Sequence, residues 1–99
     1  MTDKEIIEIV KKQLDKLGIG YDKRKEFPFS IERDLTIEIK RVSKKVHDVS
    51  FWSEYDEEFA FLHNIFSADV DAETFKVLRV NTHHKSIYLD ENGGIISDD

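Results

Sequence analysis

Four histidines, His47, His63, His83 and His84, are the side chains of this sequence best suited to holding a metal ion. A divalent site needs three or four ligands converging at about 2.0 to 2.2 Å. Neighbouring residues on a strand point to opposite faces, so His83 and His84 could ligate together only from a turn, which is where the pattern places them. Neither H-x-H nor H-x-x-x-H occurs. His63 lies in an apolar-rich stretch where a hydrogen-bonded structural role is expected. The sequence therefore predicts no metal site.

Asp69, Asp71 and Glu73 place carboxylates at alternate positions, as the opening of a calcium loop does. Such a loop also needs Gly at its sixth position and Glu at its twelfth, and Thr74 and Val80 stand there. A solvated hairpin tip is the expectation. For nucleophilic or acid-base catalysis the chain has no nucleophile elbow, no H-E-x-x-H and no glycine-rich phosphate loop, with only four Gly in all. It has no Cys, which removes thiol nucleophiles, disulfides and zinc-thiolate sites together. No catalytic residue and no cofactor are expected.

One constellation remains: Trp52, Glu54, Tyr55, Asp56, Glu57 and Glu58. Paired carboxylates beside aromatics can serve a hydrolase as acid and base, or can simply be hydrated in a loop. They also suit an interface, in which Trp and Tyr anchor while carboxylates select basic partners. These six residues form the candidate partner-binding set, with further acidic groups at Asp90, Glu91, Asp98 and Asp99.

The basic groups Lys23, Arg24, Lys25, Lys40, Arg41, Lys44 and Lys45 stand among nearly as many acids. The net charge is -6, distributed as 0 over residues 1–21, +3 over 22–45 and -9 over 46–99. This opposes binding to nucleic acid phosphates and favours a basic protein partner, such as a toxin or an enzyme.

The elements that must position these residues begin with a helix. Thr2 to Glu5 reads T-x-x-E, a capping box. Ile6, Ile9, Val10, Leu14 and Leu17 then follow at helical spacing until Gly18 ends the run. Residues 19–34 are irregular, with Phe27 and Phe29 flanking the only proline. Leu35, Ile37 and Ile39 alternate as a half-buried strand, and Val46 to Tyr55 reads as its partner across a turn near Ser43–Lys45. The run from Phe59 to Val70 has apolar residues at both parities and predicts a long central strand. Asp71–Thr74 supplies a turn, Phe75–Asn81 returns, and Ser86–Asp90 adds another strand before Asn92-Gly93-Gly94.

A length of 99 residues with 39% apolar content, including seven Phe, three Tyr and one Trp, suits one globular domain over residues 1–99. The charged N-terminal helix is unlike a signal peptide, and no run approaches the roughly 18 apolar residues of a membrane span. A cytoplasmic protein without membrane association is expected. A homodimer through an edge strand is a further possibility of such a sheet.

The stretch SADVDAETFKVLRVNTHHKSIYLD, residues 67–90, resembles the strand-turn-strand signature of PepSY-like and other cystatin-like domains. There a strand ends in V-D-x-x-T-G and the next begins with apolar residues. Val70, Asp71 and Thr74 match, Val77 and Leu78 fit the returning strand, and Phe75 replaces the glycine. The resemblance implies an α+β fold with the N-terminal helix across a curved antiparallel meander of about four to five strands. Such folds include inhibitors, secretion-associated modules, immunity proteins of bacterial toxins and some enzymes. The expected function is a small acidic noncatalytic binding module of inhibitor or toxin-immunity type that masks a basic site on its partner. The alternative is a ligand-binding or enzymatic domain using a cavity between helix and sheet, with His63 inside.

Overall fold

The helix α1, Asp3–Leu17, starts and stops where its sequence signals lie. Thr2 Oγ1 accepts from the Glu5 amide at 3.2 Å, and the Glu5 carboxylate accepts from the Thr2 amide at 3.0 Å. Gly18 closes the helix in the left-handed conformation, φ 72°, which a residue without a β-carbon adopts cheaply. Ile6, Val10 and Leu14, one stripe of this helix, have no exposed surface.

In the computed structural model, which describes residues 1–98, α1 is followed by six strands. They are β1 (Ser30–Ile39), β2 (Val42–Trp52), β3 (Ile65–Asp71), β4 (Val77–Asn81), β5 (Ser86–Leu89) and β6 (Ile95–Asp98). Every neighbouring pair is antiparallel and the spatial order follows the chain order, so the sheet is an uninterrupted meander. The fold is α+β. It has six strands, two of them β5 and β6 flanking the Asn92-Gly93-Gly94 turn, where about four to five were expected; the four residues of β6 are too few to show a period.

The helix covers one face of the sheet. Its stripe packs on Val49, Phe51, Ala68, Val70, Val77, Val80, Ile87 and Leu89, with Phe29 and Ile31 at the margin. Phe29 stacks on Phe51 at 5.2 Å between ring centres and anchors the connection on the core, whereas Phe27 packs on Trp52 and His63. The helix is tied at both ends. Arg33 of β1 donates to the Asp3 carboxylate and the Met1 carbonyl, and Gln13 and Lys16 donate to the Gly93 and Asn92 carbonyls of the β5–β6 turn.

Three departures from the expected pattern have local causes. Ser30–Asp34 is strand and not irregular chain; its alternation is broken by a bulge between Glu32 and Leu35, where Asp34 has φ 57° and its amide donates to His47 Nδ1 at 3.2 Å. The β1–β2 turn is at Lys40-Arg41, not Ser43–Lys45. Ile39 pairs directly with Val42, and both central residues are left-handed, as a two-residue turn matching the strand twist requires. The third departure is that residues 59–64 are not strand: Ala60–Leu62 forms a 3-10 turn and Phe59 and Phe61 are exposed.

At the β3–β4 turn Asp71 Oδ1 accepts from the amides of Glu73 and Thr74, and Phe75 takes φ 58°. This is the position where the resemblance expects glycine. A side chain there costs roughly 1–2 kcal/mol against the following carbonyl. Phe75 offsets that cost by packing on the core and against the His47 ring, 5.8 Å away. Both Phe75→Gly and Phe75→Ala lose the ring, but only alanine keeps the strained β-carbon. Urea unfolding is expected to show the glycine variant more stable than the alanine variant by on the order of 1 kcal/mol; the reverse order would mean position 75 is not strained.

Candidate functional site

Ser53, the residue after β2, sets the geometry of the loop that follows. Its amide donates to the Asn64 carbonyl at 2.8 Å, its Oγ donates to the Leu62 carbonyl at 3.1 Å, and the Asn64 amide donates back to Oγ at 2.9 Å. Residues 54–63 are therefore a loop clamped at its base. Within it the Asp56 carboxylate accepts from the Glu58 amide at 2.8 Å, and the 3-10 turn forces Phe59, Phe61 and Leu62 outward. Phe61 is 77% exposed and Ile65, at the start of β3, is 61% exposed. Phe59 and Phe61 meet edge to face at 6.2 Å. Glu54, Asp56, Glu57 and Glu58 are all exposed around this apolar crest.

Beneath the crest lies a layered polar and aromatic arrangement. The Asp22 side chain is only 2% exposed. It is fixed by a backbone bond from its amide to the Trp52 carbonyl, beside the bridge between Tyr21 and Ser53. Arg24 donates from Nε and Nη2 to its two oxygens at 3.0 and 2.7 Å, and the Arg24 amide adds a bond of 2.9 Å. The Arg24 hydrogen bonds hold the Asp22 carboxyl well below the usual carboxylate range, against the opposing effect of burial. An ionised carboxylate only accepts, so His63 Nε2, 2.9 Å from Asp22 Oδ2, carries a proton and donates. The His63 ring stacks on Trp52 at 4.7 Å and meets the edges of Phe27 and Tyr55 at 4.9 and 5.3 Å. The Arg24 guanidinium lies 4.6 Å from the Phe27 ring centre and 4.2 Å from that of Tyr55.

The structure thus brings the six candidate residues to one end of the sheet but gives them two roles. Glu54, Tyr55, Asp56, Glu57 and Glu58 face solvent. Trp52 is half-buried and stacks on the His63 ring. His63 is not between helix and sheet, and that space is filled by Ile6, Val10, Leu14, Val49, Phe51 and Ala68, not by Phe59 or Phe61. The other histidines are dispersed: His47 serves the β1 bulge, and His83 and His84 sit in the β4–β5 turn, rings 4.1 Å apart. Among the described residues no three His, Asp or Glu side chains converge as a metal cage. Asp69, Asp71 and Glu73 likewise diverge: one is buried in the sheet, one caps the turn, and one is exposed. Asp90 caps the β5–β6 turn through the Asn92 and Gly94 amides and Glu91 is exposed, whereas Asp99 and the side chain of Asp98 lie outside the described residues.

A second polar arrangement occupies the sheet face opposite the helix. Strand register lines up Glu32, Asp48, Asp69, Arg79 and Tyr88 in one row across five strands, and Ser30, Ser50, Ser67, Asn81 and Ser86 in the next. Asp69 Oδ2 accepts from Arg79 Nε at 2.8 Å and from Asn81 at 3.2 Å. Asp48, directly across from Asp69, is pushed up to about 7 by burial and by the hydrogen bond to Asp69 and its charge. The β1–β2 hairpin bends over this face, burying Val46 and bringing Lys40 Nζ to 4.9 Å from the Tyr88 ring centre.

These carboxyls make stability depend on pH in opposite directions. Asp22, Asp71 and Asp90 are lowered, so their contribution is present above their ordinary value of 3.8 and is lost as acid protonates the folded state. Asp48 is raised, so the folded chain holds a proton that the unfolded chain releases, and stability falls as pH rises from 3.8 to about 7. Among these groups, stability peaks near pH 4–5. Asp48→Asn is expected to raise stability at pH 8 by on the order of 1 kcal/mol, after allowance for solvent screening of a partly exposed group, and to leave it unchanged near pH 4. Urea midpoints of both chains across this range test it; parallel curves would remove the shared proton from the account.

Comparison with protein-family models, curated proteins and solved structures finds no match to this chain.

Proposed function

We propose that this protein is a noncatalytic binding module of inhibitor or toxin-immunity type that covers a basic site on a partner protein. The observation that carries this reading is the crest at residues 54–65, where Phe59, Phe61, Leu62 and Ile65 stand exposed inside a border of Glu54, Asp56, Glu57 and Glu58. Exposed clustered apolar side chains with a charged rim have the composition of an interface: a dry centre that supplies affinity and charges that choose the partner. The rim is uniformly acidic, so the matching surface is basic. The clamp at Ser53 holds the loop in shape before binding, which lowers the entropy lost on association. The filled helix-sheet interface gives no support to a ligand cavity there.

Pull-down from the native host with the wild-type chain and with Phe61→Ser, on a domain shown to be folded by circular dichroism, tests the reading. A basic protein captured by the wild type should be reduced at least tenfold by the substitution, since losing a central aromatic anchor costs 2 kcal/mol or roughly more. Its capture should also weaken as salt is raised above about 0.15 M. Equal capture by both chains, or capture indifferent to salt, would count against the crest as the binding surface.

A further inference from the structure

The Asp22 carboxylate lies at the floor of a small cage whose walls are Phe27 and Tyr55, with Trp52 and His63 behind. The group that closes this cage is the chain's own Arg24. We propose that the cage is a binding site for a guanidinium side chain of the partner, and that Arg24 is a resident occupant which the partner's arginine replaces. This rests on the reading of the adjoining crest as the partner-binding surface and names the chemistry that the partner brings to it.

Three observations support the exchange. First, floor and occupant differ in exposure: the Asp22 side chain is 2% exposed and Arg24 is 44% exposed, so Arg24 lies on the solvent side of the carboxylate. Second, the carboxylate keeps partners when the Arg24 side chain leaves. The Arg24 amide and His63 Nε2 still donate to Oδ1 and Oδ2, so the floor is not orphaned during replacement. Third, the rings that hold Arg24 come from distant segments. Tyr55 belongs to the acidic loop itself, and the groove beside it is lined by Ile19, Gly20, Tyr21, Asp22 and Glu54. An arginine reaching past the crest therefore meets the cage without any rearrangement of the sheet.

The chemistry selects arginine over lysine. A planar guanidinium can give two parallel hydrogen bonds to Asp22 while its faces contact Phe27 and Tyr55, whereas an ammonium gives a point charge and no stacking plane. Replacement exchanges like contacts for like, and the displaced Arg24 regains water, so the crest supplies affinity while the cage checks the partner's side chain. Lys23 and Lys25 flank the site and oppose a second cation; Glu26 and Glu54 balance them, so entry depends on the specific fork at Asp22 more than on net field.

The test empties the cage. Arg24→Ala is titrated with ethylguanidinium, with ethylammonium as the control, while the His63 ring resonances and Trp52 fluorescence are followed. The expected result is saturable binding of ethylguanidinium with a low-millimolar dissociation constant, roughly tenfold tighter than ethylammonium, and no saturable change in the wild type over the same range. Unchanged resonances of Val49 and Phe51 establish that the variant is folded. Arg24→Gln, whose shorter amide side chain competes for Asp22 without a guanidinium, is the second variant and should bind ethylguanidinium saturably but more weakly than Arg24→Ala. A folded variant that shows no saturable change, or that binds both probes equally, overturns the proposal. If it fails in this way while Phe61→Ser still abolishes partner capture, the cage alone is wrong; guanidinium binding with capture unaffected by Phe61→Ser upholds the cage and removes the crest.

Discussion

One helix for six strands is the constraint on which the rest of this structure depends. Ile6, Val10 and Leu14 bury their whole side chains against a single face of the sheet. Among the described residues the other face has no helix over it, and because successive strand residues alternate between faces, the neighbours of the inward Val49, Ala68, Val70 and Val80 point out to it. Asp48 and Ser50 are outward because Val49 and Phe51 are inward; Asp69 is outward because Ala68 and Val70 are inward. The rows of serines and of acid, arginine and tyrosine are consequences of that parity carried across the meander by register.

The same constraint explains why chemistry collects at the sheet's end and not its middle. Beyond Trp52 the helix no longer covers the chain, and the segment at Tyr21–Phe29 packs there instead. It buries one carboxylate, satisfies it by a guanidinium and an imidazole, and covers the cluster with aromatic rings. An isolated charge in that position would be costly, but a carboxylate with its acceptors filled is tolerated and orders the three segments that meet on it. The acidic loop built on top inherits that order through Tyr55 and Ser53.

Much of the fold was legible in the sequence, and the limits have physical origins. The helix carried three independent signals: the Thr2–Glu5 box, the apolar stripe and Gly18. The Asp71–Thr74 turn was legible because aspartate side-chain chemistry is local. The stretch at Phe59–Leu62 misled because alternating aromatics have the same period whether they face a core or solvent; the Ser53 clamp that decides between these is a tertiary contact. The Lys40-Arg41 turn carries no Gly or Asn, so its left-handed residues left no trace in composition. Of the site, the acidic loop was visible as a charge cluster. The Asp22–His63 bond, spanning 41 positions, and the Asp48–Asp69 pairing were not, since both exist only once register is set.

β2 has a consequence of its own. It leaves the Lys40-Arg41 turn, passes Lys44 and Lys45, and ends against Glu54, Asp56, Glu57 and Glu58. The strand thus has cations at its start and a cluster of exposed carboxylates past its finish, a separation of charge along one element in addition to the net negative charge. In the field of the basic partner proposed above, such a body would experience a torque as well as an attraction. For that partner, such an arrangement would raise the share of productive encounters, and so affect how quickly a complex forms separately from how long it lasts.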